Sequence, residues 1–397
     1  MGQSPSSEDC NQEEIGTPFL QGNAEFGVQH PIPRLWCDRA NKHANHHDIL
    51  LSVRAPVGEL NLADQVYGIG RGLCAITPSN TINQDYLWYG LQVFREELAS
   101  VSTGSTYDAV TIDEVSNLSI LIPPKEQHAI AAFLDRETAK IDALIEKKRR
   151  LISLLEEKRA AVISHAVTKG LDPNAPMKDS GVEWLGEISA GWIIEPLKHA
   201  VKINPEVLSE KTDPSYTFKY IDIGNVSLGE VVSEPGEISF KDSPSRARRI
   251  IRSGDVIVST VRTYLRAITH FVDPEPDLIV STGFAVLRST SLVYPRYLYY
   301  EIRSNQFIDA IMAHSEGIGY PAINSSVFGV LPFCIPPLVE QHAITASLDR
   351  ETMRIGALIS KIHEAIKKLQ EYRTALISAA VTGKIDVREE AKEGGIV

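Results

Sequence analysis

A segment that occurs twice constrains the fold of this chain more than any other feature. The first copy occupies residues 122–172 and begins IPPKEQHAI, and the second occupies residues 335–386 and begins IPPLVEQHAI. From Glu126 and Glu340 onward the copies align without gaps, and more than half of the aligned positions are identical. Because self-similarity of this kind indicates duplication, we expect two similar halves, each a globular region followed by one copy of the segment.

The repeated segment has the apolar spacing of a coiled coil. A 3.5-residue period runs through Leu134, Ile141, Ile145, Ile152, Leu155 and Val162 in the first copy, and through Leu348, Ile355, Ile362, Ile366, Leu369 and Leu376 in the second. This period predicts a coiled-coil seam. A lone helix with its apolar stripe in water is marginal, so we expect the two helices to pack antiparallel, with a pseudo-twofold axis between the halves. Parallel pairing, or two separate core helices, remain alternatives.

Short strand-like runs alternate with turn signals in both globular regions, as in DILLSVR (48–54) and RIIRSGDVIVSTVR (249–262). Helical patterns are fewer and lie mainly at 85–101 and 295–314. We therefore predict an α+β fold with two similar mixed α/β domains, mostly antiparallel sheets and two long helices that join the domains.

The expected domain boundaries follow from the repeat. The second half opens with Gly191-Trp192 well before YIDIGN (220–225), whereas the first half begins shortly before the matching FLQGN (19–23). We therefore expect a first domain that is short at its N-terminus. The predicted segments are a first domain at 1–121, a first long helix at 122–168, a linker at 169–190, a second domain at 191–334, a second long helix at 335–386 and a disordered tail at 387–397.

Composition excludes several classes of protein. The net charge of −11 argues against a polycation that coats nucleic acid, although local basic surfaces remain possible. No apolar run reaches the length of a membrane span. The four cysteines, Cys10, Cys37, Cys74 and Cys334, are far apart and form no CxxC pair. From this spacing we expect neither a metal site nor a disulfide, and a cytoplasmic location.

Catalytic signatures are also missing from the sequence. It contains neither a P-loop nor the Asn/Asp-Pro-Pro-aromatic loop that an amino-methyltransferase uses to hold its target amine. We therefore expect a non-catalytic protein.

Basic side chains supply candidate contacts to nucleic acid. In the second domain they are Arg246, Arg248, Arg249, Arg252, Arg262 and Arg266, together with Tyr264; in the first they are Arg34, Arg39, Lys42, His43 and Arg54. Arginine can bind a phosphate or the edge of a guanine. A solvated basic strand edge is the alternative. Glycine loops at Gly104-Ser105-Thr106 and Gly317-Ile318-Gly319 occupy equivalent positions in the two halves. At these loops the backbone could approach DNA closely, or the glycines could serve only to form a tight turn.

The order of these elements resembles the specificity subunit of type I restriction-modification enzymes. The resemblance is carried by the two IPP-EQ blocks that continue through LDRET, the linker KGLDPNAPMKDSGVEWLGEISAGW (169–192) and the closing AAVTGKID (379–386). It implies two target-recognition domains that each read one half of a split sequence in double-stranded DNA. It also implies that the paired helices set the gap and dock two modification subunits, which a restriction subunit joins. S-adenosylmethionine, ATP and Mg²⁺ are then expected on the partner subunits, with no cofactor on this chain.

Polar residues that recur in both copies of the segment are candidates for partner docking. They are Gln127, Asp135, Arg136 and Glu137 in the first copy and Gln341, Asp349, Arg350 and Glu351 in the second. Two identical partners would need two equivalent surfaces. Packing of each helix on its own domain is an alternative explanation. A helical scaffold that does not bind DNA, or an inactive truncated subunit, are the other functions compatible with the sequence.

Overall fold

The computed structural model describes residues 1–101 and 109–387. The chain divides into two compact units, of which the first comprises Met1–Arg149 and Ile362–Val397 and the second comprises Arg150–Lys361. Each unit therefore combines one globular region with the beginning of one long helix and the end of the other. The predicted Gly104-Ser105-Thr106 loop and nearly all of the predicted tail (388–397) lie outside the described residues.

The first unit contains two sheets. Its strands are β1 (Cys10–Asn11), β2 (Thr17–Leu20), β3 (Leu35–Cys37), β4 (His43–Ala44), β5 (Ile49–Ser52), β6 (Leu60–Leu62), β7 (Tyr67–Ile69) and β8 (Leu73–Ile76). Its short helices are α1 (Gln84–Val93), α2 (Arg95–Val101) and α3 (Ile112–Ser116), and the long helix α4 (Gln127–Lys169) begins in it. The strand orders are β1-β3-β2-β7-β4 and β6-β5-β8, and every pair except β2–β7 is antiparallel.

A disulfide links Cys10 to Cys37 in the first unit, which corrects the expectation that the cysteines stay unpaired. The two residues are 27 positions apart in sequence, but β1 and β3 pair antiparallel with Cys10 directly opposite Cys37. Strand pairing, which the spacing of the cysteines does not reveal, brings the two sulfur atoms together. Cys74 and Cys334 are free and buried.

The second unit contains the remaining strands. They are β9 (Met177–Asp179), β10 (Glu187–Ser189), β11 (Ile193–Pro196), β12 (Val201–Ile203), β13 (Thr217–Ile221), β14 (Val226–Ser227), β15 (Glu230–Val231), β16 (Gly236–Ser239), β17 (Ala247–Ile250), β18 (Val256–Ser259), β19 (Ile268–His270), β20 (Leu278–Ser281), β21 (Phe284–Ser289) and β22 (Pro332–Ile335). Its helices are α5 (Leu197–Ala200), α6 (Pro295–Ile302), α7 (Asn305–Ala313), α8 (Ser325–Gly329) and the beginning of the long α9 (Leu338–Val381).

The sheets of the two units have the same connectivity. The order β16-β13-β20-β17 in the second unit matches β3-β2-β7-β4 in the first, including the one parallel pair, β13–β20. Likewise β21-β18-β19 matches β8-β5-β6, with β12 added beside β21. The predicted fold class, two similar α/β domains, is confirmed.

Residues 169–203 form strands that have no counterpart among the described residues of the first unit. Strands β9 and β10 make a hairpin in the segment predicted as a linker, and Ile188 is buried in the core. Strand β11 pairs with β22, and β12 pairs with β21. Trp192, between the hairpin and β11, is fully buried.

The two long helices pack antiparallel. In the first unit the beginning of α4 shares a core with the end of α9, through Ile130 and Leu134 on one side and Ile377 and Ala380 on the other. In the second unit the end of α4 packs with the beginning of α9, where Val167 and Leu348 join one core. The coiled-coil arrangement predicted from the apolar spacing is confirmed.

The segment 295–314, which the sequence pattern predicts to be helical, forms two helices. Helix α6 ends at Ile302, and the hydroxyl of Ser304 accepts a hydrogen bond from the backbone N–H of Phe307 and so caps α7. A serine cap of this kind satisfies an N–H group that would otherwise lack a partner at the start of a helix. No helix among the described residues is long and apolar enough to cross a membrane.

Candidate nucleic-acid interface

Two adjacent loops form an exposed surface on the second unit, which we call the loop cluster and define as residues 262–266 and 316–321. The Arg262 guanidinium lies over the ring of Tyr320, 4.5 Å from its centroid. The backbone N–H of Arg262 donates to the carbonyl of Pro321, and the Thr263 and Ser315 hydroxyls are 3.0 Å apart. These contacts hold the two loops side by side and fix the position of the arginine.

The loop cluster combines exposed apolar side chains with strained backbone. Tyr320 is 68% exposed and Ile318 is fully exposed. Arg262 and Arg266 both have left-handed backbone, with φ of 50° and 51°, and they bracket the single turn Thr263–Leu265. Non-glycine residues held in this region cost of order 1 kcal/mol each and concentrate at functional sites. Among the described residues the guanidinium of Arg262 contacts the Tyr320 ring and no carboxylate, so it can bind an anion or a base edge.

Arg246 lies near the loop cluster because the turn between β20 and β21 contacts both. The backbone N–H of Thr282 donates to the carbonyl of Arg246, and that of Thr260 donates to the carbonyl of Gly283. The guanidinium of Arg246 pairs with Asp222 and also contacts the hydroxyl of Tyr220. The structure thus brings Arg246, Tyr264, Arg262 and Arg266 to one end of the second unit.

The rest of the predicted arginine run does not share that surface. Arg249 is half-buried in edge strand β17, where burial lowers the pKa of its guanidinium. Arg248 lies over the ring of Phe240. Arg252 follows the other end of β17 and pairs with Glu206. Arg246 precedes β17 and Arg252 follows it; an extended chain rises about 3.3 Å per residue, so the two arginines lie at most about 20 Å apart.

A partly buried ion network includes Glu206 and explains its pairing with Arg252. Arg288 contacts Glu206 and binds Asp255 through two hydrogen bonds of 2.8 Å, and Asp255 is fully buried. The pKa of Glu206 is lowered by hydrogen bonds from Arg252 and then Arg288. Arg252 is therefore already neutralised within the protein. No pattern in the sequence predicts this network, because its members are far apart along the chain.

Two of the candidates in the first unit, Arg54 and His43, occupy positions equivalent to candidates in the second. Arg54 follows β5 as Arg262 follows β18, and isolated antiparallel bridges, Arg54–Ala109 and Val261–Ala322, adjoin the two arginines. His43 lies on β4, the edge strand that matches β17. Arg34, Arg39, Lys42, His43 and Arg54 are all exposed. In the second unit the equivalent glycine loop turns at Gly317, whose φ of +107° requires glycine.

Half of the recurring polar residues anchor each long helix to its own domain. The side-chain oxygen of Gln127 accepts from the backbone N–H of Asn83, and that of Gln341 accepts from Tyr294 in the same way. The hydroxyls of Tyr89 and Tyr300 donate to Asp135 and Asp349. These four contacts recur in both units and support helix-to-domain packing for the glutamines and aspartates.

The other recurring polar residues are half-buried, except for Arg350, which is exposed. Arg136 pairs with Glu137 and lies over the ring of Phe133. In the second copy Arg350 is exposed and Glu351 is half-buried.

Sequence reasoning missed a buried tyrosine that ties three elements together in each unit. The hydroxyl of Tyr86 lies 2.6 Å from the carbonyl oxygen of Leu121 and 3.3 Å from that of Val381, and Tyr297 contacts the carbonyls of Cys334 and Val167 equivalently. The recurrence of YLWY (86–89) as YLYY (297–300) was the available signal.

Glu301 is a fully buried acid in the second unit, and it makes the stability of this unit depend on pH. Burial raises its pKa to about 8, against a smaller opposing effect of the hydrogen bond from the backbone N–H of Cys334. The protonated form is favoured in the folded state, so its contribution is complete below pH 4.5 and is lost as the pH rises through 8.

We expect the substitution Glu301→Gln to flatten this pH dependence, since the amide stays neutral and keeps an oxygen for the N–H of Cys334. A shifted pKa changes stability by about 1.4 kcal/mol per unit, so the variant should gain roughly 4–5 kcal/mol over the parent at pH 8 and less than about 0.5 kcal/mol at pH 4.5. Urea denaturation at the two pH values measures both. Parallel pH profiles for parent and variant would contradict the assignment.

Comparison with known proteins identifies the family. The profile of the type I restriction modification DNA specificity domain matches residues 34–154 and 201–368, which together are most of the chain. The chain belongs to the type I restriction-modification DNA specificity family. This confirms the resemblance drawn from the repeated segments and the prediction of a non-catalytic specificity subunit.

Individual relatives agree with this assignment. The putative type I restriction enzyme MjaX specificity subunit of Methanocaldococcus jannaschii is 37% identical over 170 residues, or 42% of this chain and 39% of that protein. The MjaVIII specificity subunit of the same organism is 24% identical over 87% of this chain and 80% of that protein. In these alignments the chain thus spans well under half of the MjaX subunit and most of the MjaVIII subunit.

A solved structure shares the fold. It belongs to a study of complex assembly and conformational transition of a type I restriction-modification system. The match has a TM-score of 0.63 at 19% identity and covers 92% of this chain and 91% of that chain.

Proposed function

We propose that this chain is the DNA sequence-recognition subunit of a type I restriction-modification complex and acts in the cytoplasm. The observation that carries the proposal is the family match over both globular regions, combined with an exposed arginine at the same strand end in each, Arg54 and Arg262. Two equivalent recognition domains in one chain are suited to a DNA target with two half-sites. The long helices are suited to fixing the gap between the half-sites.

The net charge of the chain indicates how much of the affinity for DNA it supplies and how much its partner subunits supply. Nonspecific affinity comes mainly from neutralised phosphates and falls steeply with salt. A chain with a net charge of −11 supplies little of it. We therefore propose that the isolated chain binds DNA weakly and in a salt-sensitive manner, and that modification and restriction subunits supply most of the contacts to phosphate. S-adenosylmethionine, ATP and Mg²⁺ would bind to those partner subunits.

Selection from random double-stranded DNA tests the proposal. The chain is assembled with its modification subunits, and the bound duplexes are sequenced. We expect enrichment of one split motif, two short half-sites at a fixed separation. Enrichment of the same motif by the modification subunits alone, or of no motif by the complex, would contradict a recognition role. Exchanging the second globular region for that of a relative should change one half-site and leave the other.

We further propose that Arg136 and Glu137, with Arg350 and Glu351, form two equivalent docking surfaces for two modification subunits. The support is their recurrence and the exposure of Arg350, whereas the neighbouring glutamines and aspartates are engaged by their own domains.

The double substitution Arg136→Glu with Arg350→Glu should weaken binding of the modification subunits by about 10- to 100-fold, since reversing an interfacial charge costs about 1–3 kcal/mol per site. Titration calorimetry with purified modification subunit measures the affinity. Lys368→Glu, an exposed charge reversal about five turns further along α9, is the matched control and should change it by less than about twofold. Equal affinity in parent and double variant would leave these residues with a structural role only.

A further inference from the structure

A pocket in the second unit is lined by three arginine side chains, and we call it the arginine pocket. Its volume is about 490 Å³. Arg159 lines it from the last third of α4, Arg266 from the loop cluster, and Arg303 from the position that follows α6. Glu156, Glu157 and Asn305 also line it. Positive charge is therefore concentrated where the loop cluster meets a long helix.

Arg303 is a partly buried cation, and no described carboxylate pairs with it. Its guanidinium lies 5.0 Å from the centroid of the Tyr299 ring and donates a hydrogen bond to the Tyr299 hydroxyl. Its Nε atom is buried and has no hydrogen-bond partner among the described residues. Burial lowers the pKa of this guanidinium, and Arg159 and Arg296 lower it as well, against an opposing effect of Tyr299. A buried charge is costly unless an opposite charge pairs with it, so this guanidinium lacks the anion that such a charge requires.

The other charged groups of the pocket do not neutralise its arginines. The described arginines of the second unit that form ion pairs are Arg246, Arg252, Arg288 and Arg296, and none of them lines the pocket. Glu156 and Glu157 are exposed on α4, and Glu157 accepts a hydrogen bond of 3.4 Å from the Ser153 hydroxyl. The two glutamates thus reduce the local charge without pairing with a guanidinium of the pocket.

The equivalent arginine of the first unit is neutralised. Arg373 is the counterpart of Arg159 in the repeated segment. Its Nε atom lies 3.0 Å from a carboxylate oxygen of Asp142, and its Nη1 atom donates to the side-chain oxygen of Gln92 at 3.3 Å. The first unit therefore supplies both a carboxylate and a neutral acceptor to this guanidinium.

The second unit differs at both of these positions. Gly356 takes the place of Asp142 in the repeated segment, and Arg303 takes the place of Gln92 in the alignment of YLYY with YLWY. The second unit thus has no carboxylate at the first position and an additional guanidinium at the second. Because like charges repel, this exchange is unfavourable for the chain alone, and an anion from outside the chain would balance it.

We propose that the arginine pocket binds a phosphate group. Arginine binds phosphate bidentately and stays charged at physiological pH. A phosphate presents three strong acceptor oxygens, which suits three guanidinium groups and the amide of Asn305. Because Arg266 belongs to both the pocket and the loop cluster, the backbone of a bound duplex can supply the phosphate, and a free phosphate ester has the same chemistry. The duplex as the source rests on the proposed DNA recognition, whereas phosphate binding itself does not.

Titration calorimetry of the full chain with inorganic phosphate, at constant ionic strength and without DNA, tests the proposal. We expect saturable one-to-one binding with a Kd of about 1 mM. Gly356→Asp supplies the carboxylate that Asp142 provides in the first unit, so it should weaken phosphate binding at least about tenfold. Gly356→Asn adds a side chain of the same shape without the charge and should leave the Kd within about twofold. A Cβ atom at this position would meet nothing within 4 Å, so both side chains fit.

A third variant tests the same pocket independently. Arg303→Gln introduces the residue of the first unit and should weaken phosphate binding at least about fivefold, since it removes one of the three charges. Circular dichroism confirms that all variants fold. The proposal would be overturned by a parent chain that shows no saturable phosphate binding, by equal Kd values for Gly356→Asp and Gly356→Asn, or by unchanged binding in Arg303→Gln.

Binding of the selected duplex by the assembled complex identifies the source of the phosphate. If the DNA backbone supplies it, Gly356→Asp should lower the affinity about tenfold and reduce the slope of log affinity against log salt by about one, and Gly356→Asn should do neither. Unchanged affinity for DNA together with lost phosphate binding would assign the pocket to a free phosphate ester. If the complex selects no motif, the proposed DNA recognition fails, but the titration with inorganic phosphate still decides whether the pocket binds phosphate.

Discussion

The substitution Arg262→Ala should lower the affinity of the assembled complex for its target duplex by about 10- to 100-fold. This arginine is held over Tyr320 on the exposed loop cluster, and no carboxylate of the described residues pairs with it. A guanidinium that contacts a base edge bidentately contributes about 1–3 kcal/mol of discrimination. Fluorescence anisotropy with the selected duplex measures the loss, and the loss should be confined to one half-site.

Arg252→Ala is the matched control for that substitution. Arg252 is an exposed arginine of the same unit, but Glu206 already neutralises its charge. We therefore expect its removal to change the affinity for DNA by less than about twofold, since an exposed ion pair contributes little. If Arg252→Ala weakened binding as much as Arg262→Ala, the loop cluster would not be the recognition surface. If neither substitution had an effect, the second unit would contact DNA through another face.

The substitution Trp192→Ala should lower the free energy of unfolding by about 3–5 kcal/mol, the usual cost of deleting a fully buried aromatic side chain. The indole is inaccessible to solvent and shares a core with Val167 and Ile335, which belong to different elements of the second unit. Its N–H donor also satisfies Glu340. Urea denaturation of the purified chain measures the change.

Two further variants separate packing from hydrogen bonding at this site. Trp192→Phe keeps an aromatic ring but removes the donor to Glu340, so we expect a loss of about 1–3 kcal/mol. Trp184→Ala removes a partly buried tryptophan that touches Phe307 in the same unit, and it should cost less than Trp192→Ala. Equal losses for Trp184→Ala and Trp192→Ala would contradict the expectation that the fully buried Trp192 contributes more to stability than the partly buried Trp184.

The sequence predicts the long helices and their pairing because duplication and a 3.5-residue period are both explicit in it. It also singles out the recurring glutamines and aspartates, but it does not decide between anchoring and docking. That choice depends on which backbone groups they reach, such as the N–H of Asn83 for Gln127. The duplicated domains were predictable as a class, since strand-like runs match between halves even where the side chains differ.

Long-range pairing limits what the sequence reveals about the candidate site. The run from Arg246 to Arg252 reads as one basic patch, but an extended strand separates its ends, and Glu206, distant in sequence, neutralises Arg252. Tyr320 was not predicted because its role depends on a loop that folds against Arg262. Cys10 and Cys37 were expected to be unpaired for the same reason: only the register of β1 and β3 makes them neighbours.

A map of methylated bases in host DNA, with and without this gene and with the modification subunits present in both cases, tests the central claim most directly. The account predicts methylation at a split motif, two short half-sites around a fixed gap, that disappears when the gene is deleted and returns when it is restored. The same methylation pattern in both strains would show that this chain does not select the sites that the complex modifies, and would contradict the account.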